Sequence, residues 1–304
     1  WLKLPAARAE AIAGFLGIHS LAFAAEGIAL IAAADWHTQG PFAFALAALH
    51  LVLGVPAVGE QLGGSRYQPL ARMAQMLGVF FLACAVPLQL HGPVIAALWA
   101  GMGLALAWAS STRRSLWMEA AAYLLFFAAL TRLSAIDLPE IGPDPIPFGH
   151  GVFFTALLAG ISMLAAAWVW KTASHRWVAA FGGHFVLLMT LITEAVRWGE
   201  RGAPGGDKMI FETAVISVIL SVYAAVLVAV GVAARSRVNR IAGLVLLMVV
   251  VAKLYLFDVW LLDTLFRIVA FGVLGTMLLA TSFLYSRLKN TVRNLLSDSA
   301  EERL

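Results

Sequence analysis

One cysteine in 304 residues rules out a disulfide within the chain. Cys84 stands in the apolar run LGVFFLACAVPLQL and reads as a core residue, so cysteine usage says nothing about redox compartment. Charge is scarce too: 12% of residues are Asp, Glu, Lys or Arg, against about 25% in soluble domains. That shortage excludes a chain that folds in water. With 62% apolar residues and a mean hydropathy of +0.87, the sequence is that of a membrane protein. The spacings that carry common chemistry are missing as well. No HExxH, CxxC or paired-His pattern offers a metal site, no GxSxG a nucleophile elbow, and no glycine-rich fingerprint a phosphate cradle. No cofactor, metal or catalytic residue is therefore expected, and a non-enzymatic role leads. The formal charge of +4 is too small to point to nucleic acid.

What the chain does have is apolar length. Runs of about 20 apolar residues suit spanning helices, whereas barrel strands would be about 10 residues with strict alternation. The expected fold is all-α, a polytopic transmembrane helical bundle of about ten spans: 11–34, 41–59, 71–90, 92–110, 115–133, 147–171, 177–197, 210–234, 239–257 and 263–286. Pro56 and Pro87 fall near the C-terminal ends of two of these, and a kink relieved by neighbouring helices is the plainer reading. The opening WLKLPAARAE lacks the short apolar core and cleavage site of a signal peptide, and its Trp start sets the expectation of a processed chain or a piece of a longer one.

Loop charge gives an orientation. Lys3, Arg8, Arg66, Arg72, Arg113, Arg114, Lys171, Arg176, Arg235, Arg237, Arg240, Arg287, Lys289, Arg293 and Arg303 fall on one side, fifteen of the 21 Lys and Arg. The opposite loops carry Asp35, the acidic PEIGPDPIP and the mixed RWGERGAPGGDK. The positive-inside rule then makes both termini cytoplasmic, as an even span count requires, with membrane lipids as the first partners.

The charges also repeat. Arg114, Arg132 and Asp137 recur 121 positions later as Arg235, Lys253 and Asp258; Gly160 and Trp170 recur 115 positions later as Gly275 and Tyr285. This predicts two parallel four-helix repeats, over 69–176 and 177–304, after a two-helix remnant over 1–68.

The C-terminal run NRIAGLVLLMVVVAKLYLFDVWLLDTLFRIVAFGVLGTMLLATSFLYSRL carries Arg240, Gly243, Lys253, Asp258, Asp263, Arg267, Phe271, Gly275 and Tyr285 in an order that closely resembles the end of the bacterial membrane-protein family called domain of unknown function 2339. VPLQLHGPVIAALWAG also looks like a family segment, though Met102 stands where the family often has Glu, three residues after Trp99. The resemblance extends from about residue 70 onward and implies repeated membrane helices rather than a chemistry.

Candidate functional residues are the charges inside or beside spans, because ionisable groups there are costly and mark functional or paired positions. Lys253, Asp258, Asp263, Arg267, Arg132 and Asp137 form the first group. Lys253 can snorkel outward on its long stem. Asp258, five residues on, lies about 140° away on an ideal helix, whereas Asp263 and Arg267, four apart, share a face. The group reads either as the lining of a polar route or as a clamp on helix ends. His19 and Glu26, seven apart on one face, with His50 opposite, offer either a proton relay or bonded interior residues. Glu119 is expected to balance Arg113 or Arg114, and Glu194 to pair with Arg197. Two functions stay open: a transport-like protein for a lipid-linked or envelope-related substrate, and a non-catalytic scaffold or accessory subunit beside other membrane-protein subunits. A membrane-embedded transferase stands third.

Overall fold

The computed structural model describes residues 6–34, 38–55, 68–141, 146–202 and 208–256, and among them every regular element is helical. In chain order these are α1 (Ala6–Ala33), α2 (Gln39–Leu53), α3 (Gln68–Gln89), α4 (Val94–Arg113), α5 (Leu116–Arg132), α6 (Gly151–Val169), α7 (Ala173–Gly202), α8 (Lys208–Ala233) and α9 (Arg237–Leu256). Eight are long and apolar enough to span a bilayer, and the short α2 is apolar too. The protein is a membrane protein of apolar helices. The tenth expected span, 263–286, lies outside the described residues, as does Pro56.

The chain divides into two compact units, Trp1–Thr190 and Leu191–Leu304. In the first, α1, α2 and α3 meet at Ala24, Leu46, Ala47, Leu77 and Phe81, while α4 packs against α5 and α6. The small residues Ala96, Ala100, Ala107, Ala122 and Ala129 are fully buried, so these helices approach closely, as membrane helices do where packing replaces the hydrophobic effect. In the second unit, α8 and α9 form a hairpin.

Pro87 lies within α3 and removes the amide hydrogen that would bond the Ala83 carbonyl four residues back. The indole Nε1 of Trp99 on α4 donates to that carbonyl at 2.9 Å. A neighbouring helix thus supplies the lost bond, the relief that makes proline tolerable inside a bilayer.

The hairpins α4–α5 and α8–α9 share local geometry at one offset. Arg114, directly after α4, and Arg235, two residues after α8, lie 121 positions apart (235 − 114) and both hold the left-handed conformation, with φ of 49° and 50°. At the helix crossings, a methyl group on Gly103 would stand 3.2 Å from the Ala122 carbonyl, and one on Gly243 would stand 3.1 Å from the Ala224 carbonyl. Positions 103 and 224, and 122 and 243, are again separated by 121. The glycine has changed helix, but each crossing keeps one glycine against one alanine.

Candidate functional site

Two polar clusters stand out within the first unit, at opposite ends of its helices. The first joins the end of α5 to the turn before α4. Residues Leu133–Asp137 continue α5 as a π-helical turn, closed by the Leu138 amide donating to the Leu133 carbonyl at 2.9 Å. A π turn bonds each residue to the fifth one back, so it brings positions five apart onto one face. An α-helix would hold them about 140° apart. Asp137 therefore lies beside Arg132, with Oδ1 3.4 Å from the guanidinium Nη2; its side chain is 0% exposed and that of Arg132 16%. The same Nη2 donates to the Gly92 carbonyl at 3.2 Å. Gly92 has φ +74°, which suits glycine in the tight turn between α3 and α4.

Lys253 holds the corresponding place in the second unit. Its Nζ donates to the Thr213 carbonyl at 3.2 Å and to Ser217 Oγ at 2.6 Å, both on α8. Thus the ammonium turns onto the neighbouring helix instead of snorkelling. Arg132 reaches a carbonyl 40 residues upstream, and so does Lys253. The acceptors Gly92 and Thr213 are themselves 121 positions apart. Asp258, Asp263 and Arg267 lie outside the described residues.

The second cluster gathers the opposite ends of α4 to α7. Trp170, 2% exposed, donates from Nε1 to Ser110 Oγ at 3.0 Å, and Ser110 Oγ donates to the Ala107 carbonyl at 2.8 Å. The Trp170 ring stacks on Tyr123, centroids 4.9 Å apart. The Tyr123 hydroxyl bonds His175 Nδ1 at 2.7 Å, and His175 Nε2 lies 3.4 Å from Glu119 Oε2. Glu119 thus faces His175 across a helix boundary, where the sequence suggested Arg113 or Arg114. If the phenol donates to Nδ1, the proton sits on Nε2 and points at the carboxylate, and this network fixes ring and tautomer together. Both imidazole nitrogens are engaged, so the arrangement orients His175 as a bridge. Arg113, Arg114, Lys171 and Arg176 are exposed around it.

The weaker candidates separate. His19 and Glu26 are exposed on α1, His19 stacking on Phe15 with centroids 6.4 Å apart. His50 is buried and is bonded through Nδ1 to the Leu46 carbonyl at 2.8 Å and through Nε2 to Ser20 Oγ at 3.3 Å. It faces α1 at Ser20, one residue round the helix from His19. Glu194 and Arg197 do pair, at 3.4 Å. Among the described residues no group of His, Cys, Asp and Glu could hold a metal ion.

A family model described as a predicted membrane protein, DUF2339, matches residues 152–288. The C-terminal portion of the chain is thus similar to the DUF2339 family. The DUF2339 match contains Lys253, Trp170 and His175, whereas Arg132, Asp137, Glu119 and Tyr123 precede it, so each cluster of the first unit draws on residues outside it. The likeness read from residue 70 is shown from 152. No curated protein and no solved structure matches the chain.

Residues 170–175 were absent from the sequence-derived candidate set. Their partners lie 52 and 60 residues away, and no local spacing links them. The available signal was Trp, Lys, His and Arg packed into WKTASHRW at a span boundary.

Proposed function

We propose that the chain is a structural subunit of a membrane-protein complex, whose ionised side chains close helix ends rather than line a solute route. One observation carries this reading: Arg132 and Lys253 each bond a backbone carbonyl 40 residues upstream. A base spent on a neighbouring segment's backbone is a clamp: it ties two helices together and pairs a costly intramembrane charge within the protein. We take the coincidence at 121 positions as an internal duplication of one hairpin in parallel orientation. The basic loops are then cytoplasmic by the positive-inside rule, in a bacterial inner membrane. That same duplication favours a second reading, transport of a lipid-linked or envelope-related substrate, because parallel repeats also build transporters.

Thiol accessibility separates the two. Ser217→Cys in a Cys84→Ala background places the only cysteine against Lys253. A charged, membrane-impermeant thiol reagent applied to either side of sealed vesicles leaves position 217 unlabelled under the clamp reading. Labelling from the aqueous phase overturns it in favour of transport. Native mass spectrometry in lipid supports a subunit role by showing a second protein at fixed stoichiometry, and a lone chain argues against that role.

A further inference from the structure

We propose that the basic end of the first unit, around His175, is a binding site for the phosphate-bearing headgroup of an anionic phospholipid. The loops that follow α4 and α6 are tied together there by the Trp170–Ser110 bond and the Glu119–His175 contact. These loops and the helix ends beside them carry Arg113, Arg114, Lys171 and Arg176, all exposed, and within 110–120 and 170–177 Glu119 is the one carboxylate. Guanidinium groups suit phosphate oxygens because their planar donors meet two of them at once. Cations grouped beside a span attract anionic lipid.

The end also bears the marks of a headgroup level. Trp108, Trp117, Trp168 and Trp177 each lie within about two turns of these loops, one on each of α4 to α7; Trp168 is 91% exposed and Trp108 62%. Tryptophan turned outward at helix ends belongs where hydrocarbon meets headgroups. Between the cations, the Glu119–His175–Tyr123 chain is partly accessible, the side chains of His175 and Glu119 being 27% and 17% exposed. Its imidazole is held in place, so a headgroup meets a pre-set polar floor instead of a mobile ring.

The test uses the full chain in neutral detergent, titrated with phosphatidylglycerol or phosphatidylcholine of identical acyl chains and read by native mass spectrometry. Phosphatidylglycerol is expected to be retained at least tenfold better. Arg113→Gln with Arg176→Gln should lower that retention by about fivefold per cation removed, with an unchanged thermal midpoint in phosphatidylcholine. Tyr123→Phe, which alters no charge but removes the bond to His175, should lower retention severalfold. Arg237→Gln with Arg240→Gln, the same loss of charge in the second unit, should leave it intact. Equal retention of the two lipids overturns the site. An Arg237/Arg240 variant as impaired as the Arg113/Arg176 one reduces it to bulk charge and overturns it likewise. Displacement of the lipid by millimolar inorganic phosphate assigns the site to a soluble anion and overturns the lipid.

Discussion

Asp137→Asn removes the negative partner of a buried pair while keeping its shape, and the cost follows from the geometry. The carboxylate has no exposed side-chain surface and lies 3.4 Å from Arg132, so attraction at an effective dielectric near 20 is about 5 kcal/mol before desolvation is counted. Losing one member of such a pair costs about 3–5 kcal/mol, because the survivor stays buried and uncompensated. Arg132 is 16% exposed and keeps its bond to the Gly92 carbonyl, which places this variant near 3 kcal/mol. Replacing both partners, as Arg132→Met with Asp137→Leu, removes both charges and should return to within about 2 kcal/mol of the parent. Thermal unfolding in lipid nanodiscs, followed at one scan rate, should show Asp137→Asn lowered by about 5–10 °C and the double variant by less. A midpoint within 1 °C of the parent for Asp137→Asn refutes the clamp. So does a double variant less stable than Asp137→Asn, because that would mean the charges act separately.

Four further outcomes follow from single contacts. Trp99→Phe should cost about 1–3 kcal/mol by stranding the Ala83 carbonyl, and Pro87→Ala in the same chain should recover most of it by restoring the helical donor; a double-mutant cycle in thermal midpoint measures this. Gly243→Ala should destabilise by about 1–3 kcal/mol, since its methyl group would stand 2.9 Å from the Val228 amide nitrogen and 3.1 Å from the Ala224 carbonyl. Gly14→Ala, with nothing within 4 Å, should be neutral or slightly stabilising in the same melt. Lys253→Met should lower the midpoint of the second unit by losing the bonds to Thr213 and Ser217, and Lys253→Arg, able to reach the same carbonyl, should recover part of the loss.

Most spans were legible because bilayer thickness imposes a length that sequence must meet, and nine expected helices have observed counterparts within a few residues at most ends. The largest departure is at α2, which closes at Leu53 and is followed by Gly54. What the sequence hid is how side chains pair. A base and an acid five apart looked mismatched on a 3.6-residue helix, and only the π turn at Leu133–Asp137 makes them neighbours. His50 was expected opposite His19 and Glu26 and meets Ser20 on α1 instead; a rotation of about 100° per residue decides between His19 and Ser20, and no periodicity argument resolves one residue in a helix 28 residues long. The His175 cluster needed four helix ends to converge, information held in packing rather than in any window of sequence.

The repeated bond shows what a sequence match can hide. Arg132 and Lys253 differ in donor chemistry, Gly92 and Thr213 in backbone freedom, and Gly103 has exchanged helices with Gly243. Residue identity at these positions differs, yet each crossing brings one small residue against one carbonyl, and Arg132 and Lys253 each place one cation on one carbonyl. Backbone groups in hydrocarbon must be satisfied and helices must touch closely, whichever residue does it. For the duplication proposed above, geometry at a fixed offset is therefore a better test than identity at that offset.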